Sequence, residues 1–144
     1  MQTDEMKSYY SEILTDHNIR PGHKHEMTGA TVELRGVNPS CGDDIVLKLK
    51  IEDGVVTDGA YVGEGCAISQ ASADIMLDLV IGKNLEEARR LHGIFQGMIR
   101  GTATDDEISE LEEGEALRDI SHMPARVKCA MLGWRTFDEA TQNM

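Results

Sequence analysis

Cys41, Asp43, Cys66 and Cys129 are the residues whose types and settings best equip this chain for chemistry. The three cysteines stand in short motifs: Asn38-Pro39-Ser40-Cys41-Gly42-Asp43, Gly65-Cys66-Ala67-Ile68-Ser69 and Arg126-Val127-Lys128-Cys129. Three thiolates and one carboxylate make a four-ligand set for a soft metal, zinc first in line. The same set could pass sulfur from thiol to thiol. An odd number of cysteines excludes a full disulfide framework, and in a reducing compartment such thiols serve as metal ligands, redox groups or core residues.

A lone cytosolic cysteine is most often a small buried hydrophobe. The settings here argue otherwise. Cys41 lies in a Pro-Ser-Cys-Gly-Asp loop without an apolar neighbour, and Cys66 precedes a helix and misses its Ile68–Ile75 face. On the last helix Cys129 falls about 160° from the stripe of Val127, Met131 and Trp134. All three thiols are therefore expected outside the core. Cys66 at one helix start and Cys129 in or near the first turn of another should feel the positive end of a helix dipole. Arg126 and Lys128 add positive charge nearby, so lowered thiol pKa values are expected. Gly42 and Gly65 leave room beside two of the thiols. Asp43 reads either as a turn residue bonding its own backbone or as a fourth ligand, since Cys-x-Asp lets both side chains reach one metal.

Other chemistry is weaker. His23 and His25 flank Lys24 in a polar loop, and His17, His92 and His122 are scattered, each reading as a surface or helix-end residue. No Ser-His-Asp arrangement, P-loop or dinucleotide fingerprint is visible. The net charge of −12 argues against a nucleic-acid ligand, which needs clustered Lys and Arg, and suits a partner with a basic surface. No apolar run follows a basic N-terminal start and no stretch nears transmembrane length, so a cytoplasmic, membrane-free setting is expected.

The elements that must position these residues follow from periodicity. At 144 residues the chain reads as one domain over 1–144, with a core that is aliphatic and Met-rich because aromatics are only 4%. Met6, Tyr9, Tyr10, Ile13 and Leu14 mark an amphipathic helix after Thr3-Asp4-Glu5, ending before Pro21-Gly22. Extended segments follow at about 31–37, 45–51 and 55–62, with Asp53-Gly54 as a hairpin turn. A helix starting after Cys66 should bury Ile68, Ala71, Ile75, Met76 and Leu79 on one face. Asn84 caps the next, with Glu87 completing a capping box and Ala88, Leu91, Phe95, Met98 and Ile99 as its stripe. Residues 105–115 hold seven acids and no base, so 101–121 reads as a solvated acidic insert with one short helix around Ile108 and Leu111. Pro124 fits the first turn of a last helix that buries Val127, Ala130, Met131, Trp134 and Phe137. The expected fold class is α+β, a small antiparallel three-stranded sheet with helices packed on one side.

The three motifs together, Cys-Gly-Asp, then Gly-Glu-Gly-Cys-Ala-Ile-Ser-x-Ala-Ser, then Pro-Ala-Arg-x-Lys-Cys, resemble the U-type iron–sulfur assembly proteins from the first helix to Phe137. The IscU-like scaffold branch typically carries a His directly before the third cysteine and a shorter segment leading to it. Lys128 at that position, the acidic 101–121 stretch and Met123-Pro124-Ala125-Arg126 resemble the SufU branch instead. Where the family often has an Asn-Pro-Arg motif, this chain reads Asn18-Ile19-Arg20-Pro21-Gly22-His23. The resemblance implies a zinc-dependent sulfurtransferase that takes persulfide sulfur from a SufS-type cysteine desulfurase and feeds downstream Suf assembly machinery. It implies Zn²⁺ on Cys41, Asp43, Cys66 and Cys129, with Cys41 as sulfur acceptor and Arg126 and Lys128 as auxiliary charges. Two alternatives stand beside it: a scaffold on which a [2Fe–2S] cluster is assembled, and a purely structural zinc module.

Overall fold

A computed structural model describes residues 4–144; Thr3 of the expected helix start lies outside them. The element order is α1 (Asp4–Ile19), β1 (Val32–Asn38), β2 (Asp43–Glu52), β3 (Val55–Glu64), α2 (Ala67–Val80), α3 (Leu85–Arg100), α4 (Asp105–Ser109) and α5 (Pro124–Thr141), with 3-10 segments at Pro39–Cys41 and Glu112–His122. The strands form one antiparallel sheet in the order β1-β2-β3. Asp53 and Gly54 join β2 to β3 with φ of 52° and 75°, the left-handed pair that a two-residue hairpin turn requires.

Alternation along β2 decides which face is covered. Asp43, Ile45, Leu47 and Leu49 are buried while the residues between them are half-exposed. A register shift between Lys50 and Ile51 ends that alternation, which is why Ile51 is only half-buried. The helices pack on the buried face, as the sequence led one to expect.

Three expectations need correction. The first concerns α2, which buries Ser69 to Leu77 continuously rather than one face, because α1, α5, the sheet and the 3-10 segment Glu112–His122 surround it. A helix enclosed on all sides loses the amphipathic signature. Its seam with α5 is close enough that a Cβ on Gly133 would lie 3.1 Å from the Ala73 backbone. The second concerns the acidic 101–121 stretch, which is no solvated strip. It folds as α4 and the 3-10 segment, and Ile108, Leu111, Ala116, Leu117 and Ile120 lie in the core while the acids face water. The third concerns caps. Asn84 accepts the Glu87 backbone N–H at 2.8 Å, but Glu87 turns its carboxylate to Arg90. The reciprocal capping box belongs to Thr104 and Glu107 on α4.

The stripes were also partly misread. On α1, Tyr10 and Ile13 are buried, whereas Tyr9 is 59% exposed. On α5 the buried face runs through Cys129, Ala130, Leu132, Trp134 and Phe137, while Val127 and Met131 are half-buried beside a groove along α3. No helix among the described residues is long and apolar enough to cross a membrane.

Candidate metal and thiol site

The three motifs converge at one end of the sheet. Asn38 closes β1, and Pro39–Cys41 makes one 3-10 turn. Gly42, at φ 69°, turns the chain so that Asp43 opens β2 facing inward. Cys66 is the N-cap of α2, and its Sγ accepts the Ser69 backbone N–H at 3.4 Å. Cys129 enters from α5.

Cys41, Asp43 and Cys129 each bring a ligand atom within 4.8 Å of the others, a spacing one metal ion can bridge. Cys129 Sγ lies 2.8 Å from Cys41 Sγ. Cys66 stands outside that triangle, though its thiol still bears on the Cys129 sulfur.

Asp43 is fully buried, and its carboxylate organises the site. Oδ1 accepts the Cys66 backbone N–H at 2.8 Å and the Ser69 hydroxyl at 3.0 Å. Oδ2 accepts Asn38 Nδ2 at 3.3 Å, and the same amide donates to Cys129 Sγ at 3.6 Å. Gly65 makes this approach feasible: a Cβ there would lie 2.8 Å from Asp43 Oδ1 and 2.5 Å from Ser69 Oγ. Of the two readings of Asp43, bonding to its own turn is not what the structure has.

Burial corrects the expectation that all three thiols avoid the core. Cys41 and Cys66 are half-exposed, but Cys129 is fully buried. It is also the sixth residue of α5 rather than a first-turn residue, so the helix dipole reaches it weakly. Its pKa is therefore raised, not lowered: desolvation dominates, and the neighbouring Cys41, Cys66 and Asp43 add to it. Arg126 and Lys128 are exposed, and among the described residues neither side chain has a hydrogen-bond or ion-pair partner.

Residues 9–130 match the family described as the NifU-like N terminal domain. The chain belongs to that family. It is 42% identical over 138 residues to the iron–sulfur cluster assembly scaffold protein IscU of Thermotoga maritima, a match covering 96% of each chain. It is 37% identical over 134 residues to the zinc-dependent sulfurtransferase SufU of Bacillus subtilis, covering 93% of this chain and 90% of that one. A Fervidobacterium islandicum protein described as an iron–sulfur cluster assembly scaffold for the SUF system has a crystal structure with TM-score 0.85 at 31% identity, covering 96% of this chain and 98% of that one. A NifU-like N-terminal domain from Brucella abortus, 24% identical, shares the fold with TM-score 0.76, covering 94% of this chain and 93% of that one.

Within this NifU-like domain the sequence motifs held two residues that sequence reasoning left without a role. Asn38 and Ser69 are buried and spend their donors on Asp43. A polar residue just before or after a chemistry-bearing cysteine, in a chain segment about to become core, was the available signal.

Proposed function

We propose that this chain is a zinc-dependent sulfurtransferase of the U-type iron–sulfur assembly family, which accepts persulfide sulfur from a SufS-type cysteine desulfurase. Cys41 would be the acceptor, and Cys41, Asp43, Cys66 and Cys129 would hold Zn²⁺. The donor set fits that ion. Burial beside two other thiols and the Asp43 carboxylate disfavours the Cys129 thiolate, as its raised pKa reflects, unless a cation neutralises it. Zinc supplies that neutralisation and no redox chemistry.

One observation carries the choice of Cys41. It is the half-exposed thiol that no backbone N–H ties down, whereas Cys66 accepts the Ser69 N–H and Cys129 is sealed in the core. The Cys41 thiolate attacks the outer sulfur of the donor persulfide. A new Sγ–S bond forms, the donor S–S bond breaks, and its electron pair leaves on the donor cysteine as thiolate. Gly42 keeps the approach open, since nothing lies within 4 Å of where a Cβ would stand. The side chains of Arg126 and Lys128, exposed and without a partner among the described residues, would balance the charge of an incoming persulfide.

The second reading is a scaffold for a [2Fe–2S] cluster on the same ligands, favoured by the 42% identical relative named a scaffold protein. One experiment separates the two. Zinc-loaded protein is incubated anaerobically with a SufS-type desulfurase, cysteine and ferrous iron, and bound zinc, visible absorbance and the mass of the Cys41 peptide are measured. The proposal expects retained zinc, one added sulfur on Cys41 and no chromophore. Zinc replaced by an iron–sulfur chromophore overturns it in favour of the scaffold.

A further inference from the structure

A second set of ligand-type side chains converges away from the thiols. His17 on α1, Asp78 on α2 and Glu113 in the 3-10 segment each contribute one ligand atom, and all three atoms lie within 4.8 Å of one another. His17 Nε2 is 3.0 Å from Glu113 Oε1. Two adjacent donors each about 2.1 Å from one ion, at a right angle, lie about 3.0 Å apart.

What separates this set from a patch of acids is its supporting shell. His17 is 7% exposed, and its Nδ1 meets the buried Asp74 carboxylate at 2.5 Å. Asp74 is fixed in turn by the backbone N–H groups of His23 at 2.9 Å and Gly22 at 3.4 Å. Asp78 Oδ1 faces His23 Nε2 at 2.7 Å. A carboxylate behind an imidazole fixes the tautomer of a metal-ligating histidine and aims its other nitrogen. With Nδ1 committed to Asp74, His17 aims Nε2 at Glu113, with an Asp78 carboxylate oxygen within 4.8 Å, and Nε2 is a donor when it carries a proton and a ligand atom when it does not. Asp78 is held by His23, and His17 meets Glu113 through an Nε2 proton whose place a metal ion bound here would take. Among the described residues no lysine or arginine pairs with Asp74, Asp78 or Glu113. The local field is strongly negative: burial pulls the His17 pKa down, yet Asp74 and Glu113 together raise it.

We propose that His17, Asp78 and Glu113 form a second, thiolate-free site for a divalent cation of the Mn²⁺ or Fe²⁺ class, stapling the acidic segment to α1 and α2. One imidazole and two carboxylates make a harder donor set than the cysteines. Asp78 and Glu113 are about half exposed, at 47% and 51%, which leaves coordination positions open to water. The site is independent of what the thiols do.

The test titrates zinc-loaded protein with Mn²⁺ and follows loss of the free-ion EPR signal. Mn²⁺ stands lowest in the divalent affinity order and leaves zinc on the thiolates, which is checked by zinc analysis. One equivalent of Mn²⁺ should bind. Asp78→Asn and Glu113→Gln should each weaken it by at least about tenfold. Asp106→Asn, an exposed acid on the same segment, should leave it unchanged. Circular dichroism confirms that the variants fold. Absence of saturable binding, equal weakening by all three variants, or indifference to all three would overturn the site.

Discussion

Asp43 Oδ1 accepts the backbone N–H of Cys66 at 2.8 Å, so the carboxylate that opens β2 also anchors the thiol that caps α2. Removing it leaves that N–H without its acceptor and takes one of two acceptors from the Ser69 hydroxyl and from the Asn38 amide, which keep Cys66 O and Cys129 Sγ. A buried donor left unpaired costs about 1–3 kcal/mol, so Asp43→Ala should lower stability by at least that much in urea unfolding. Asp43→Asn keeps the shape and one acceptor oxygen but loses the charge. It should retain most of the stability and release zinc more readily to a chelator. Zinc held at the wild-type level by Asp43→Asn would show that the carboxylate is structural only.

Gly65 offers a more selective probe. A methyl group there meets Asp43 Oδ1 at 2.8 Å and Ser69 Oγ at 2.5 Å, so the carboxylate must move off the Cys66 N–H. Overpacking of this kind costs about 1–3 kcal/mol. Gly65→Ala should therefore weaken zinc retention while Gly42→Ala, with open space at its Cβ, should cost only the strain of a positive φ. Similar zinc release from the two variants would argue that the Asp43 anchor does not control the site.

The strands, the hairpin and the starts of α2, α3 and α5 were legible because each has a local cause. Alternation marks Ile45, Leu47 and Leu49, Asp53-Gly54 supplies the turn, and Asn84 and Pro124 sit at helix starts. The cysteine motifs were legible for the same reason, since type and local spacing carry them. What failed depends on distant neighbours. Cys129 is buried because Asn38 and Cys41 come to meet it, and an angle measured on one helix contains no such information. In the acidic segment the short helix around Ile108 was legible, but the seven charges mask Leu117 and Ile120, which join Ile108 and Leu111 in the core. His17 looked like a surface residue because Asp74 lies 57 positions away.

The buried side of the acidic segment can be tested directly. Leu111 and Leu117 are fully buried beneath the acids, and Gly114 sits against Leu111, Ile75 and Leu79. Leu117→Ala should cost about 2–5 kcal/mol, the range for a core leucine truncation, in equilibrium unfolding. Glu112→Gln, on the exposed side of the same segment, should change stability by no more than about 0.5 kcal/mol. Near-neutral behaviour of Leu117→Ala would restore the picture of a solvated insert.

His92 contributes to the acid limb of stability. Its ring stacks on Trp134 with centroids 5.7 Å apart and planes 10° from parallel, and Nε2 is buried without a partner. Burial lowers its pKa, and Asp138, 3.9 Å from Nδ1, opposes that only in part. The sign follows from proton counting. The unfolded chain, with a histidine pKa of about 6.5, takes up the proton before the folded one does. The contribution of neutral His92 is thus fully present above about pH 6.5 and lost as pH falls through the lowered folded value. His92→Phe keeps a ring against Trp134 and cannot titrate. Urea unfolding from pH 7.5 down to pH 5 should show a shallower decline for this variant than for the wild type. Parallel curves would mean that His92 takes up its proton at the same pH in the folded and unfolded chain, so that its burial against Trp134 does not govern its charge.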